Sequence, residues 1–180
     1  MIDRISNFID CRISNFKRWY VRKLISTNVR ARKVAMDIGS GNTVLNYVNW
    51  DVLYRVDPTL IVRNETHDIK GTWEDANVIL SRENIDCVFL MDVIEHLQKR
   101  EALRLLKEIE HHVKHIVVFT PHGFMSQEDG DWNTHRSGWI ADDFGDGWNT
   151  WVIKNYHTVD FKGRKLNTPV DALLAIYTKS

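Results

Sequence analysis

Short apolar runs, each ended by glycine, proline or charged residues, recur along the chain and predict the strands of a buried sheet. The predicted strands cover residues 34–36, 50–56, 69–73, 85–91, 115–121, 151–161 and 172–177. Segments with apolar residues at three- and four-residue steps lie among them and predict helices. Between Asp57 and Glu74 the chain leaves little room for a standard helix, so we expect the second crossover to be abbreviated. This order is typical of βαβ units.

The first predicted helix spans residues 2–25 and is amphipathic. Its apolar positions are Ile5, Ile9, Ile13, Phe16, Tyr20 and Leu24. Residues 1–33 hold nine basic and two acidic residues, a net charge of +7, whereas residues 34–180 hold 15 and 22, a net charge of −7. We expect this helix to cover the sheet domain. The alternative is a peripheral contact of residues 2–25 with anionic lipid or with nucleic acid.

A second helix is predicted at residues 98–113, where charged residues lie opposite an apolar stripe. The stripe consists of Leu97, Ala102, Leu105, Leu106, Ile109 and Val113. Three histidines, His111, His112 and His115, crowd the end of this helix. Adjacent helical side chains diverge, and cations are favoured at a helix C-terminus, so we expect no metal site there.

The segment Asp37-Ile38-Gly39-Ser40-Gly41-Asn42 carries the strongest chemical signal, because an apolar run ends there in an acidic residue and two glycines. Glycine permits positive φ and lets a ligand approach the backbone. A helix beginning at about Thr43 would direct its unpaired N–H groups at that ligand. The segment therefore predicts a nucleotide-type cradle. A G-x-G-x-x-G dinucleotide site needs a third glycine where this chain has Val44, which disfavours an NAD-type dehydrogenase.

The pattern Asp37-x-Gly39-x-Gly41 resembles the first motif of the class I S-adenosylmethionine-dependent methyltransferases. The resemblance extends over residues 33–178 and implies S-adenosylmethionine as the cofactor. It also implies which residues hold the methionine part of the cofactor, namely Asp37, Gly39, Ser40, Gly41 and Asn42. Thr43 stands where many members of this family carry another glycine.

A second acidic residue, Asp57, lies twenty positions after Asp37 at the end of the second predicted strand. An acidic residue at that distance in a βαβ unit accepts hydrogen bonds from both ribose hydroxyls of an adenosine cofactor. Pro58 cannot extend a strand ladder, so the chain turns there. We therefore assign Asp57 and Pro58 to the cofactor site.

Two later segments complete the resemblance. It places Asp75 and Ala76 at the adenine, with the carboxylate accepting from the exocyclic amine and a backbone N–H donating to the ring. Residues 92–97, Asp-Val-Ile-Glu-His-Leu, resemble the segment that follows the fourth strand in a large methyltransferase subfamily, whose members act on small molecules and glycans. This similarity adds Met91 and Asp92 to the predicted cofactor site.

The implied fold is α/β, a Rossmann-like seven-stranded sheet that is mostly parallel, with helices on both faces. In this family the last strand is antiparallel and inserted beside the fifth. The predicted organisation is an N-terminal amphipathic helix at residues 1–30, as a cover or lid, followed by a methyltransferase domain at 31–180. The implied activity is methyl transfer.

The loop at residues 122–139 is polar, contains glycine, and follows a buried strand on the side where α/β sheets bind ligands. Methyl transfer to a hydroxyl needs a group that removes a proton near neutral pH. His135 is the predicted catalytic base, with His122 as the second candidate.

Metal assistance is the alternative mechanism. Asp92, Glu95 and His96 would share one face at a helix start. With a later histidine, this pattern is similar to the divalent-ion sites of small-RNA 2′-O-methyltransferases and ubiquinone-pathway O-methyltransferases. The segment is also common in members without a metal, so we expect no metal ligands and consider a divalent metal unneeded.

The composition of the chain bears on its compartment and on its partners. Lysine plus arginine equals aspartate plus glutamate at 24 each, so bulk charge does not attract polyanions. The two cysteines imply no disulfide framework, so we expect a cytoplasmic protein. The apolar runs are far shorter than a bilayer requires, so we expect no transmembrane segment. The predicted acceptor is an oxygen of a small molecule or saccharide. A nucleic-acid (RNA) methyltransferase that uses the basic first helix and a non-catalytic S-adenosylmethionine-binding module remain alternatives. The sequence does not fix the oligomeric state.

Overall fold

The computed structural model describes residues 2–29, 33–41, 49–64, 67–127, 130–160 and 163–179, with backbone alone for 2–14 and 131. One seven-stranded sheet organises it, in the order β3-β2-β1-β4-β5-β7-β6. The strands are β1 Val34–Ile38, β2 Val52–Val56, β3 Asp68–Ile69, β4 Cys87–Met91, β5 His115–Pro121, β6 Trp148–Val159 and β7 Lys165–Thr178. The described helices are α1 Ile2–Asn28, α2 Trp73–Leu80, α3 Lys99–His112 and α4 Gly130–Asn133, with single 3₁₀ turns at Ile94–His96 and Ala141–Asp143.

The first five strands run parallel, and β7 is antiparallel to both β5 and β6. β7 therefore lies between β5 and β6, which confirms the predicted insertion of the last strand beside the fifth. This arrangement brings the carboxyl ends of β1, β2, β4 and β5 to one edge of the sheet. In open α/β sheets that edge binds ligands.

Alternate residues of the buried strands pack on opposite faces of the sheet, because strand side chains have a period of two. On one face, Met36 and Ile38 pack with residues of α2 and α3 in the larger apolar core. On the other, Ala35 and Phe89 pack with Val21 of α1. The sheet thus has helices on both faces, as predicted.

The predicted helix at 98–113 is α3, and its apolar stripe is confirmed by the burial of Ala102, Leu105, Leu106, Ile109 and Val113. Leu97 is partly buried against the same core. His111 and His112 are exposed at the end of α3, whereas His115 is buried at the start of β5.

The predicted packing face of α1 is wrong where it can be compared. Phe16 and Tyr20 of the predicted stripe are exposed, and Val21 and Ile25, on the other side of the helix, are fully buried. Leu24 is partly buried against the same core. The side chains of Ile5, Ile9 and Ile13 lie outside the described residues.

The region around the third strand also differs from the prediction. Only Asp68–Ile69 form β3, and Trp73, expected to end the strand, begins α2 instead. The side chain of Asp75 accepts a hydrogen bond from the N–H of Thr72 (2.9 Å), which caps the first turn of α2. This local cap outweighs the strand preference of the residues before it.

A buried ion pair fastens β3 to β2. Arg55 donates from Nε to Asp68 Oδ1 (2.9 Å) and from Nη2 to Asp68 Oδ2 (2.5 Å). The backbone N–H groups of Arg63 and Asn64 donate to the same Oδ2. These hydrogen bonds, that of Arg55 first, lower the pKa of Asp68 to about 2. The pair fixes the end of β2, from which Asp57 extends.

Candidate cofactor and acceptor site

The glycine turn after β1 has the backbone conformation that glycine allows. Gly39 has φ +74° and Gly41 has φ +54°. The N–H of Gly39 donates to the carbonyl of Val56 (2.8 Å), which ties the turn to the end of β2. A Cβ on Gly39 would lie 2.5 Å from Val93 Cγ2, whereas a Cβ on Gly41 would meet no described atom within 4 Å. Among the described residues, therefore, nothing blocks the approach of a ligand to the backbone at Gly41.

Ser40, in the middle of the turn, is buried, and its hydroxyl lies 3.3 Å from the carbonyl of Gly41. Asn42, which was also predicted to hold the cofactor, lies outside the described residues, as do Thr43 and Val44.

Asp37, at the end of β1, is a buried carboxyl, and no described residue donates a hydrogen bond to its side chain. Burial raises its pKa from 3.8 to about 7; the Arg55 guanidinium opposes this rise and the Asp57 carboxylate adds to it. A cation placed beside Asp37 would restore its charge.

Both carboxylate oxygens of Asp57 accept hydrogen bonds from within the protein. Its Oδ2 accepts a hydrogen bond from the N–H of Gly41 (2.9 Å), and its Oδ1 accepts from the N–H (2.7 Å) and hydroxyl (2.6 Å) of Thr59. Two carboxylate oxygens offer about four acceptor positions, so capacity for a ribose hydroxyl remains. Pro58 follows Asp57 and is half-buried. The ribose role of Asp57 stays a prediction.

The segment predicted at the adenine adjoins Asp57, since the N–H of Gly71 donates to the carbonyl of Asp57 (3.3 Å). Asp75 is exposed in the first turn of α2. Ala76 is fully buried, and its N–H already donates to the carbonyl of Thr72 (3.2 Å). A hydrogen bond from the Ala76 N–H to the adenine, as predicted, would therefore compete with the helix. The Asp75 carboxylate also has a backbone partner, since it accepts a hydrogen bond from the N–H of Thr72 (2.9 Å), but its two oxygens offer further acceptor positions for the adenine amine.

The fourth strand delivers Met91 and Asp92 to the same edge. Met91 is half-buried, and Asp92 has φ +55°, with its N–H donating to the carbonyl of Phe119 (2.7 Å). Asp92 is exposed to solvent, and partial desolvation by the surrounding protein raises the pKa of its carboxyl. Asp92 precedes the turn at Ile94–His96, so the predicted shared helix face of Asp92, Glu95 and His96 is wrong.

Glu95 is almost fully buried beneath Asp92. Its Oε2 accepts a hydrogen bond from the Thr120 hydroxyl (2.9 Å), and its backbone carbonyl accepts from the N–H groups of Arg136 (2.7 Å) and Ser137 (3.1 Å). Burial, with a smaller contribution from the Asp92 charge, raises the pKa of Glu95 from 4.5 to about 8. The two hydrogen bonds to the Glu95 carbonyl hold residues 136–137 against the turn at Ile94–His96.

His96 and His135 meet beside Glu95, with ring centroids 4.9 Å apart. His135 Nδ1 lies 2.7 Å from the Met125 carbonyl, and His96 Nδ1 lies 3.3 Å from the Thr134 carbonyl. A carbonyl only accepts, so His135 Nδ1 carries the proton and Nε2 keeps a lone pair. Burial lowers the pKa of both imidazoles, and mutual repulsion contributes at His96.

One potential ligand atom from each of Glu95, His96 and His135 lies within 4.8 Å of the others. One carboxylate and two imidazoles with backbone carbonyls behind them form a donor set that suits a divalent cation. Since neutral imidazoles are the ligating form, their lowered pKa values also fit this use. Sequence spacing alone did not reveal the cluster, because His135 is brought in by the loop.

His122, the second candidate base, does not belong to the group formed by Glu95, His96 and His135. Its N–H donates to the carbonyl of Asp171 (2.9 Å), and it forms a bridge with Trp139.

A histidine missed by the sequence analysis, His157, lies near His135. Burial, with a smaller contribution from His135, lowers the pKa of His157 to about 4. Its position could not be read from strand alternation because β6 is irregular between Ile153 and His157.

Comparison with solved structures gives the class of the fold. A S-adenosylmethionine-dependent methyltransferase from Archaeoglobus fulgidus superposes with a TM-score of 0.54 at 16% identity, over 90% of this chain and 94% of that one. The magnesium protoporphyrin IX methyltransferase of Synechocystis PCC 6803, solved with bound S-adenosylmethionine, gives 0.52 at 11% identity, over 94% and 82%. The small RNA methyltransferase HEN1 gives 0.58 at 15% identity; the match covers 93% of this chain and 26% of that one.

The chain therefore has the Rossmann-like fold of class I S-adenosylmethionine-dependent methyltransferases. No protein-family profile and no curated protein matches its sequence. Among the described residues, none of the helices combines the length and the apolar character that crossing a bilayer requires.

Proposed function

We propose that this protein transfers the methyl group of S-adenosylmethionine to a hydroxyl oxygen of a small molecule or saccharide. The observation that carries the proposal is the convergence of the glycine turn, Asp37, Asp57 and Asp92 at one edge of a methyltransferase-like sheet. The absence of any described atom near a Cβ on Gly41 and the hydrogen-bond capacity of Asp57 fit an adenosyl cofactor. When bound, that cofactor supplies an electrophilic methyl group on a sulfonium.

Three polar groups of the cofactor have a candidate partner in this arrangement. Asp37 would be a counter-charge for the cofactor's amino group: its carboxyl lacks a described hydrogen-bond donor, and an ammonium beside it would lower the pKa that burial raises to about 7. Asp57 would accept from the ribose while continuing to hold Gly41. Asp75 would face the adenine amine from the first turn of α2.

On the acceptor side, we infer that Glu95, His96 and His135 hold a divalent cation, in place of the metal-free mechanism expected from the sequence. The grouping of their ligand atoms within 4.8 Å supports this inference. When bound, such a cation would lower the pKa of a coordinated acceptor hydroxyl. Thr120 and the Met125 carbonyl would orient Glu95 and His135, and the N–H groups of Arg136 and Ser137 hold the loop to the Glu95 carbonyl.

The cofactor assignment is tested by calorimetric titration of S-adenosylhomocysteine into the wild type, Asp57→Ala and Asp51→Ala. Asp51 is an exposed carboxylate just before β2 and serves as the matched control. Removal of a charge-assisted hydrogen-bond acceptor from the ribose should weaken binding about tenfold or more in Asp57→Ala. Asp51→Ala should bind like the wild type. Equal affinity of all three proteins would remove Asp57 from the site, and absence of binding to the wild type would overturn the proposal.

The cation is tested separately by titrating Mn²⁺ and following the free ion by electron paramagnetic resonance. We expect one site in the wild type, with affinity lowered at least about tenfold in His135→Ala. His112→Ala, which alters an exposed histidine at the end of α3, should retain the site. S-Adenosylhomocysteine should bind both variants alike. If the wild type takes up no Mn²⁺ at this site, His135 stays the predicted base and the cation is refuted, whatever the fate of the cofactor.

A further inference from the structure

Helix α1 has two apolar faces, and where the structure describes its side chains only one of them is buried. Val21 and Ile25 are buried against the sheet. On the opposite side, Phe16, Trp19 and Tyr20 expose 63%, 54% and 38% of their surface. The Phe16 and Trp19 rings contact each other at 5.7 Å between centroids, so they form a continuous aromatic surface.

This exposed surface is also cationic. Lys23 follows Phe16, Trp19 and Tyr20 at the i, i+3, i+4, i+7 spacing of one helix face. Residues 11–36 contain eight arginines and lysines and no acidic residue. Toward the N-terminus the sequence continues the same spacing with isoleucine at positions 5, 9 and 13. Aromatic and aliphatic residues with flanking cations on one helix face are the composition of helices that lie in a membrane interface.

Helix α1 also contacts the edge of the sheet at which the candidate acceptor site lies, through a residue next to Phe16 in the sequence. The ammonium of Lys17 donates to the backbone carbonyl of Asn155, near the carboxyl end of β6. The N–H of Asn155 donates to the Asp171 carboxylate (2.7 Å), and the Asp171 carbonyl accepts from the N–H of His122 (2.9 Å), directly after β5. Two short links therefore connect α1 to the acceptor side of the site.

We propose that the face of α1 formed by Phe16, Trp19, Tyr20 and Lys23 docks on an anionic lipid bilayer. The aromatic rings would enter the interface, where Trp and Tyr are favoured, and the cations would contact lipid headgroups. The proposal is independent of the methyl acceptor.

Two other occupants fit the surface less well. A second copy of the chain would bring two segments of the same positive charge together, which opposes association. A nucleic acid would satisfy the cations and stack on the aromatic rings, but it would gain nothing from the aliphatic residues that continue the stripe. An anionic bilayer satisfies all three features.

The test is flotation of the full chain with vesicles of phosphatidylcholine alone and of phosphatidylcholine with phosphatidylglycerol at about 3:1. The double variant Phe16→Ser/Trp19→Ser removes the aromatic surface. The matched control is Val78→Ser/Leu103→Ser, which changes two exposed apolar residues on α2 and α3 across the sheet. All four residues are exposed, so we expect both variants to fold, and thermal unfolding checks that.

We expect the wild type and the control to float with the anionic vesicles, to bind neutral vesicles poorly, and to dissociate as salt rises. The partition coefficient of Phe16→Ser/Trp19→Ser should fall at least about tenfold. Equal flotation of the aromatic variant and the control would overturn the proposal. Absence of flotation by the wild type would also overturn it. Sedimentation of the wild type, alone and with a single-stranded RNA, would then show whether a second copy of the chain or a nucleic acid occupies the face.

Discussion

Replacement of Asp37 by asparagine should stabilise the cofactor-free protein while weakening its cofactor binding. The Asp37 carboxyl is buried, and burial raises its pKa from 3.8 to about 7. Since a folded-state pKa above the unfolded value means that the unfolded chain loses its proton first, the wild type loses stability as the pH rises from about 4 to about 7. One pKa unit corresponds to about 1.4 kcal/mol, so the upper limit of the loss is about 4 kcal/mol.

The assay is urea unfolding of the wild type, Asp37→Asn and the exposed control Asp51→Asn at pH 4 to 8. Asparagine has nearly the same shape and stays neutral, so Asp37→Asn should match the wild type near pH 4 and exceed it by about 2 kcal/mol or more at pH 8. Asp51→Asn should follow the wild type throughout. S-Adenosylhomocysteine should bind Asp37→Asn more weakly than the wild type, because the amino group of the ligand loses the counter-charge of the Asp37 carboxylate. A stability difference that does not grow with pH would refute the account of Asp37.

Three further substitutions test the surrounding structure. Gly39→Ala should lower the free energy of unfolding by about 1–3 kcal/mol, because φ is +74° and the new Cβ would lie 2.5 Å from Val93; Val93→Ala in the same chain should recover part of the loss in urea unfolding. Gly41→Ala should cost only about 1 kcal/mol, since φ is +54° but the new Cβ would meet no described atom within 4 Å. Among folded proteins, Gly41→Ala should weaken S-adenosylhomocysteine binding more than Gly39→Ala does. Asp68→Asn leaves the buried Arg55 without its counter-charge and should cost about 3–5 kcal/mol at pH 7. Because the folded pKa of Asp68 is lowered to about 2, this cost should persist above about pH 4 and disappear as the pH falls toward 2; a cost unchanged at low pH would contradict the ion pair.

The parts of the fold that sequence analysis predicted well are those determined by short-range chemistry. β5 begins at His115 and ends at Pro121 as predicted, because proline stops a strand ladder. The turn at Gly39 and Gly41 was predicted because its positive φ values favour glycine. The stripe of α3 was predicted because a single apolar face leaves only one way to pack the helix.

The parts that sequence analysis predicted poorly depend on tertiary choices. Helix α1 carries apolar residues on two faces, and periodicity cannot tell that the sheet receives Val21 rather than Phe16. Trp73 begins a helix because the local cap from Asp75 overrides its strand preference. The pairing of His96 with His135 joins residues 39 positions apart through a loop whose path is set by hydrogen bonds to Glu95. No sequence spacing specifies that contact.

The central claim is that the edge of the sheet around Asp37 and Asp57 binds an adenosyl thioether. Its most direct test is a thermal-shift panel with S-adenosylhomocysteine, S-adenosylmethionine, NAD and NADP, since a ligand that binds only the folded chain raises the melting temperature by mass action. We expect the two adenosyl thioethers to raise the melting temperature of the wild type and the two dinucleotides to leave it unchanged. A rise with NAD, together with none for S-adenosylhomocysteine, would contradict the claim.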